Sequence, residues 1–139
     1  MQTGVNLQRV SDELEITALL TRYCRAVDAG DWQLYRSMFT DDARVDYSAA
    51  GLIVGTCDEA VEYLSRRQAS VTGGMHYVTN VESRIEGDRA EVQAMWFNAV
   101  RFPGATDMSF FGGRWRDDLV RTSEGWRIRN LLLEVVWNA

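Results

Sequence analysis

The apolar positions near the start of the chain repeat with a helical period. Ile16, Leu19, Leu20, Tyr23 and Val27 follow at steps of three, one, three and four, which lays them along one face of a helix. Asp12 with Glu15 reads as a capping box at its start. Gly30 suits the left-handed position past its end, so the helix is expected to stop near Asp28 or Ala29. Asp31 can cap a second helix, Trp32 to Phe39, with Leu34, Tyr35 and Met38 for the core. Thr40-Asp41-Asp42 is turn chemistry. Ala43, Val45 and Tyr47 then alternate with Arg44, Asp46 and Ser48, a strand pattern. The short apolar run Leu52 to Val54 lies between Gly51 and Gly55. Thr56 with Glu59 forms another capping box, opening a helix over about 58–69 that Thr72-Gly73-Gly74 breaks.

Beyond Gly74 the period falls to two. Met75–Glu86 reads as a strand closed by Gly87-Asp88. Ala90, Val92, Ala94, Trp96, Asn98 and Val100 alternate along the next, up to the turn at Pro103-Gly104. Asp107–Arg121 is a third strand, with Gly112-Gly113 marking a bulge or bend. Ser123 to Gly125 turns the chain into a last strand, Trp126–Trp137. Helices first and hairpin-connected strands second give an α+β fold with helices on one face of a sheet. Long strands with glycines curve, and a curved sheet closed by three N-terminal helices makes a cone around an apolar pocket.

The length of 139 residues suits one domain, 1–139, and 46% apolar residues suffice for its core. Five Trp, five Tyr and five Phe exceed what a bland core of this size needs and suit a rigid apolar pocket. The net charge of −5 is interspersed, with no basic stripe, which argues against nucleic acid. No apolar run reaches the roughly 18 residues of a membrane span, and residues 1–10 hold no signal-peptide core, so the cytoplasm is the expected location. Cys24 and Cys57 read as free thiols.

Asp28 stands where a helix C-terminus disfavours negative charge, so it needs a cationic or hydrogen-bonding partner. His76 is the single histidine and could be that partner. A carboxylate that accepts one imidazole N–H fixes the tautomer and leaves the other nitrogen as a base. Tyr23 and Tyr47 both lie on inward-facing positions and can offer phenol donors. Trp96, Asn98 and Trp115 are expected cavity walls by strand alternation. One histidine and no clustered cysteines exclude most zinc or two-histidine iron sites, and no phosphate loop, dinucleotide fingerprint or nucleophile elbow occurs. The expectation is a site with no metal and no cofactor.

The pattern Ile16-x-x-Leu19-Leu20-x-x-Tyr23, Asp28-x-Gly30-Asp31-Trp32 and Phe39-x-Asp41-Asp42-Ala43-x-Val45 resembles the opening of the nuclear-transport-factor-like (SnoaL-like) superfamily. The resemblance runs from about Leu14 to Trp137. Its nearest likeness is to the scytalone dehydratase and bile-acid dehydratase type and to hexachlorocyclohexane dehydrochlorinase. Val27-Asp28 before Gly30-Asp31-Trp32 is similar to the stretch bearing their catalytic aspartate, and His76 to Asn80 resembles the dehydrochlorinase segment with its catalytic histidine. Arg44 to Tyr47 looks like the strand that supplies scytalone dehydratase with a substrate-side tyrosine. Tyr23, five residues before Asp28, matches a tyrosine of bile-acid dehydratase and of ketosteroid isomerase. Trp96 stands nearest to a second histidine of scytalone dehydratase, and Tyr47 where the isomerase carries its base.

The resemblance implies a cofactor-independent lyase in which His76, oriented by Asp28, removes a proton while Tyr47 and Tyr23 hydrogen-bond the substrate. The implied substrate is small, largely apolar, and cyclic or polyketide-like. Isomerase and cyclase activity share the first step; a small-ligand-binding or dioxygenase-small-subunit-like module is the non-catalytic alternative. Met95, Phe97, Phe111 and Leu133 are expected on the outer sheet face, where a homo-oligomer would form, a dimer being favoured and trimers occurring among relatives.

Overall fold

A computed structural model describes residues 4–68 and 73–139. Three helices precede most of the sheet: α1 (Leu7–Ala29), α2 (Trp32–Ser37) and α3 (Cys57–Gln68). The strands are β1 (Phe39–Asp46), β2 (Val54–Thr56), β3 (Gly73–Glu86), β4 (Arg89–Arg101), β5 (Ser109–Thr122) and β6 (Gly125–Asn138). They form one mixed sheet in the order β2-β1-β6-β5-β4-β3. Only β1 against β6 is parallel. The α+β architecture, with three helices and a curved, open mixed sheet, is as expected.

The start of α1 is not. The helix begins at Leu7, where Asn6 caps it by accepting the Arg9 N–H at 3.0 Å. Asp12 lies inside the helix and is buried. Its carboxylate accepts Arg121 Nη1 and Nη2 at 2.7 and 2.9 Å and the Trp126 indole N–H at 3.1 Å. Glu15 accepts the backbone N–H of Trp126 at 3.0 Å. Both carboxylates meet partners more than 100 residues away in the chain, which local capping logic does not see.

The second helix stops at Ser37, and Phe39 opens β1 rather than ending the helix. Thr40 to Asp42 therefore belongs to a strand and not to a turn. Pairing to β6 runs Phe39 to Ile128 and then Arg44 to Asn130, so an irregularity absorbs the extra residues. The box at α3 forms as read: Thr56 N–H donates to Glu59 Oε2 at 2.8 Å and Glu59 N–H to Thr56 Oγ1 at 3.2 Å. The expected end of that helix at 69 and its break at Thr72 lie outside the described residues. The expected irregularity at Gly112-Gly113 is present as a register shift between β5 and β6.

The core lies between α1 and the concave face of the sheet, on Ile16, Leu19 and Leu20 from the helix and Trp115, Leu119, Ile128 and Leu131 from the strands. Cross-strand register decides which side chains face it. Met95 pairs with Arg114 and Phe97 with Gly112 on the convex face, where Phe97 sits 5.9 Å from both Phe110 and Trp137. Phe111 pairs with Asn98, and Leu133 with Trp115, on the concave face. Phe111 and Leu133 thus line the interior, correcting their expected place outside. Periodicity gives two faces per strand, and only register says which is which.

Asp117 is the exception in the core. It is 3% exposed, and neither carboxylate oxygen has a hydrogen-bond partner among the described residues. Burial pushes its carboxyl well above the usual range, with the neighbouring Asp118 adding to this. A carboxyl raised in the folded state favours folding below its unfolded value of about 4 and loses that contribution as pH rises. Asp117→Asn is therefore expected to stabilise the fold at pH 8 by roughly 1–3 kcal/mol and to change little at pH 4. Urea unfolding of both proteins at the two pH values measures this.

Candidate functional site

Helix α1 carries two of the candidate residues on different faces. Five residues separate Tyr23 from Asp28, which is about 140° around a helix. Tyr23 accordingly points into the core, while Asp28 stands at the helix margin, in the last turn. Gly30 ends that turn in the left-handed conformation, φ 66°, as the sequence reading expects. Opposite Asp28 runs β3, an edge strand of the sheet, with α1 packed along it.

His76 on β3 meets Asp28 twice. Its backbone N–H donates to Asp28 Oδ2 at 3.0 Å, and its ring Nδ1 lies 2.6 Å from Asp28 Oδ1. An ionised carboxylate only accepts, so against it a neutral imidazole would carry its proton on Nδ1 and keep the lone pair on Nε2. The two side chains are 22% and 27% exposed, so the pair is shielded from bulk water without being sealed off.

Both residues border an interior cavity of about 560 Å³. Tyr23, Trp96, Asn98 and Trp115 line it as well, together with Phe111, Leu133 and Val135. His76 and Asn98 are direct cross-strand partners on β3 and β4, and Trp96 sits one inward position further along. Trp96 and Trp115 stack with centroids 6.3 Å apart, and Trp115 meets Tyr23 edge-on at 5.0 Å. Gly113 makes this floor possible. A Cβ there would stand 2.8 Å from Trp96 Cζ2 and 1.8 Å from the Glu134 carbonyl oxygen.

Tyr47 takes a different place from the one expected. It does not border the cavity but stands behind Tyr23, fully packed. Its hydroxyl is 2.6 Å from that of Tyr23 and 2.7 Å from that of Tyr35. A phenol has one proton, so Tyr47 cannot donate to both neighbours. In the order Tyr35 to Tyr47 to Tyr23, each hydroxyl donates to the next and the proton of Tyr23 is free to point into the cavity. Burial pushes all three phenols up, so they are neutral donors. From the sequence, Tyr35 is expected only in the core. Its fully buried hydroxyl, which needs a partner, is the signal that could have found it.

Three polar atoms on the cavity residues have no hydrogen-bond partner among the described residues: the indole nitrogens of Trp96 and Trp115, and Asn98 Oδ1. The indole of Trp126, which is structural, is satisfied by Asp12. Among the described residues, no three His, Cys, Asp or Glu side chains converge as metal ligands. Cys24 and Cys57 are both free, and burial pushes their thiols up to about 12 and about 11. No described helix is long and apolar enough to cross a membrane.

Comparison with known proteins agrees with this architecture. An uncharacterised protein of Mycobacterium tuberculosis strain H37Rv is 35% identical over 125 residues, 89% of this chain and 85% of that protein. The hexachlorocyclohexane dehydrochlorinase LinA-type3 of Novosphingobium barchaimii superposes with a TM-score of 0.84 at 15% identity, over 97% of this chain and 93% of that one. A protein of Novosphingobium aromaticivorans provisionally named a scytalone dehydratase superposes with a TM-score of 0.83 at 18% identity, over 96% and 88%. At these identities the two structures show a shared fold. The profile of the SnoaL-like domain matches residues 8–131, nearly the whole length, and the chain belongs to the SnoaL-like family.

Proposed function

We propose that the protein is a cofactor-independent lyase of the dehydratase type. His76 Nε2 takes a proton from a carbon next to a carbonyl, and its electrons form the new double bond as the neighbouring C–O bond breaks. The departing hydroxide collects the proton from the imidazolium and leaves as water. Asp28 holds the tautomer and stabilises the imidazolium. Tyr23, at the end of the phenol chain, donates to the carbonyl oxygen where negative charge develops. Tyr47 and Tyr35 act through Tyr23 by polarising its hydroxyl.

The observation that carries this reading is the double contact of Asp28 with His76, 2.6 Å at Nδ1 and 3.0 Å at the backbone, at the edge of the cavity. A cavity of about 560 Å³ with mostly apolar walls suits a small uncharged ring compound. The indole N–H groups of Trp96 and Trp115 favour a substrate with an acceptor oxygen, and the Asn98 Oδ1 acceptor favours one that also bears a hydroxyl donor. Isomerisation and cyclisation begin with the same proton abstraction and would use the same residues.

The single histidine makes the test direct. The imidazole ¹⁵N shifts of His76 should report one tautomer, protonated at Nδ1, in the wild type and loss of that tautomer toward the Nε2-protonated form in Asp28→Asn. A mixture in the wild type would sink the pair, and with it the lyase, in favour of a binding module.

A further inference from the structure

Asp28 can orient His76 only if the end of α1 is itself held. That end is an unpromising place for a carboxylate. The last carbonyls of a helix lack internal donors and carry partial negative charge, so the final turn frays and repels an anion. Gly30 N–H returns to the Val27 carbonyl at 3.2 Å and Asp31 N–H to that of Ala26 at 2.9 Å. A third donor comes from a different helix. Gln68, the last residue of α3, donates its Nε2 to the carbonyl of Val27 at 2.9 Å and to that of Asp28 at 3.3 Å.

The space for this amide is provided by Gly30. A Cβ at that position would stand 2.3 Å from Gln68 Oε1. Gly30 thus serves twice, by allowing the left-handed turn and by leaving room for the Gln68 side chain.

We propose that Gln68 is a positioning residue for the Asp28–His76 pair. Its amide fixes the final turn of α1 in the orientation that brings the Asp28 carboxylate onto the backbone N–H and the ring Nδ1 of His76, and it offsets the negative end of the helix beside that carboxylate. The inference rests on the lyase reading above. A pair held 2.6 Å apart across two separate elements tolerates little drift, since misplacement of about 1 Å at a reacting group costs on the order of 100-fold in rate. The property that matters is the ability to donate to carbonyls, not the bulk of the side chain.

Two variants separate donation from bulk. Gln68→Glu keeps the shape, but its carboxylate only accepts. Gln68→Lys changes the shape but donates, as lysines commonly do at helix C-termini. The readouts are the His76 imidazole ¹⁵N shifts and hydrogen exchange at the His76 backbone N–H, with the Trp126 indole N–H resonance as a check on folding. In Gln68→Glu the tautomers should mix and the His76 amide should exchange about tenfold faster or more, because its acceptor has moved. Gln68→Lys should keep the wild-type tautomer.

A Gln68→Glu protein with unchanged tautomer and exchange overturns the clamp while leaving the pair intact. A wild type with mixed tautomers overturns the pair and the clamp together. If Gln68→Glu loses the Trp126 resonance, Gln68→Met removes the donor without adding charge. The same two readouts then decide, unchanged values again overturning the proposal.

Discussion

Replacing His76 with alanine is expected to lower the rate of proton abstraction by 10²–10⁴-fold, the usual contribution of a positioned general base. The proposed proton abstraction can be followed with a surrogate ketone. A bicyclic ketone such as 2-tetralone fits the size and polarity of the cavity and carries exchangeable hydrogens next to its carbonyl. Protein-catalysed deuterium uptake at that carbon, measured by NMR in heavy water, reads the first step alone. Asp28→Asn should lose activity over the same range. Its amide can turn an N–H toward Nδ1, which would place the imidazole proton on Nε2 and remove the base from the cavity side. Uptake that is equal in wild type and His76→Ala would overturn the assignment of the base, whatever the variants do to ligand affinity.

Acid should unfold the protein largely through Asp12. The Arg121 guanidinium beside it holds its carboxyl at about 2, well below the usual range, against the opposing effect of burial; the Trp126 and Gln8 hydrogen bonds help. A carboxyl depressed in the folded state stabilises the fold above its unfolded value of about 4, and that contribution is lost as pH falls toward 2. Solvent reaches Arg121, whose side chain is 29% exposed, so the pH-dependent part is expected to be about 1–2 kcal/mol. Asp12→Ala goes further. It leaves the Trp126 indole N–H without its acceptor and breaks a bidentate pair that ties α1 to β5, at an expected cost of about 3–5 kcal/mol at neutral pH. Urea unfolding between pH 2 and 7 measures both. Asp12→Asn should flatten the wild-type loss between pH 4 and 2; an unchanged slope would show that other carboxylates carry the acid sensitivity.

Asp12 and Asp117 have the same chemistry and opposite effects. Asp12 has a guanidinium and an indole beside it, and Asp117 has neither. In the sequence both are aspartates within regular elements, and nothing local distinguishes them. The same holds for Tyr47, which alternation places inward but which only the packing of α1 and α2 puts behind Tyr23 rather than at the cavity. Gln68 is one more residue of a helical face in the sequence, and only the fold lays the end of α1 against it.

The elements themselves were legible because their causes are local. A 3.6-residue period, a left-handed glycine at Gly30, the reciprocal cap of Thr56 and Glu59 and the two-residue period beyond Gly74 each act within a few positions. The Asp28–His76 pair was also within reach, since a carboxylate at a helix C-terminus needs a partner and the chain holds one histidine. What only the tertiary structure decided depends on register and on distant partners. Register turns Phe111 and Leu133 inward and seats Trp96 over Gly113. Distant partners make Asp12 an anchor of the fold rather than a cap, and link three tyrosines into one chain of hydroxyls. Periodicity is a property of neighbours along the chain, whereas the energy of a buried polar group is set by whichever atom the fold brings to it.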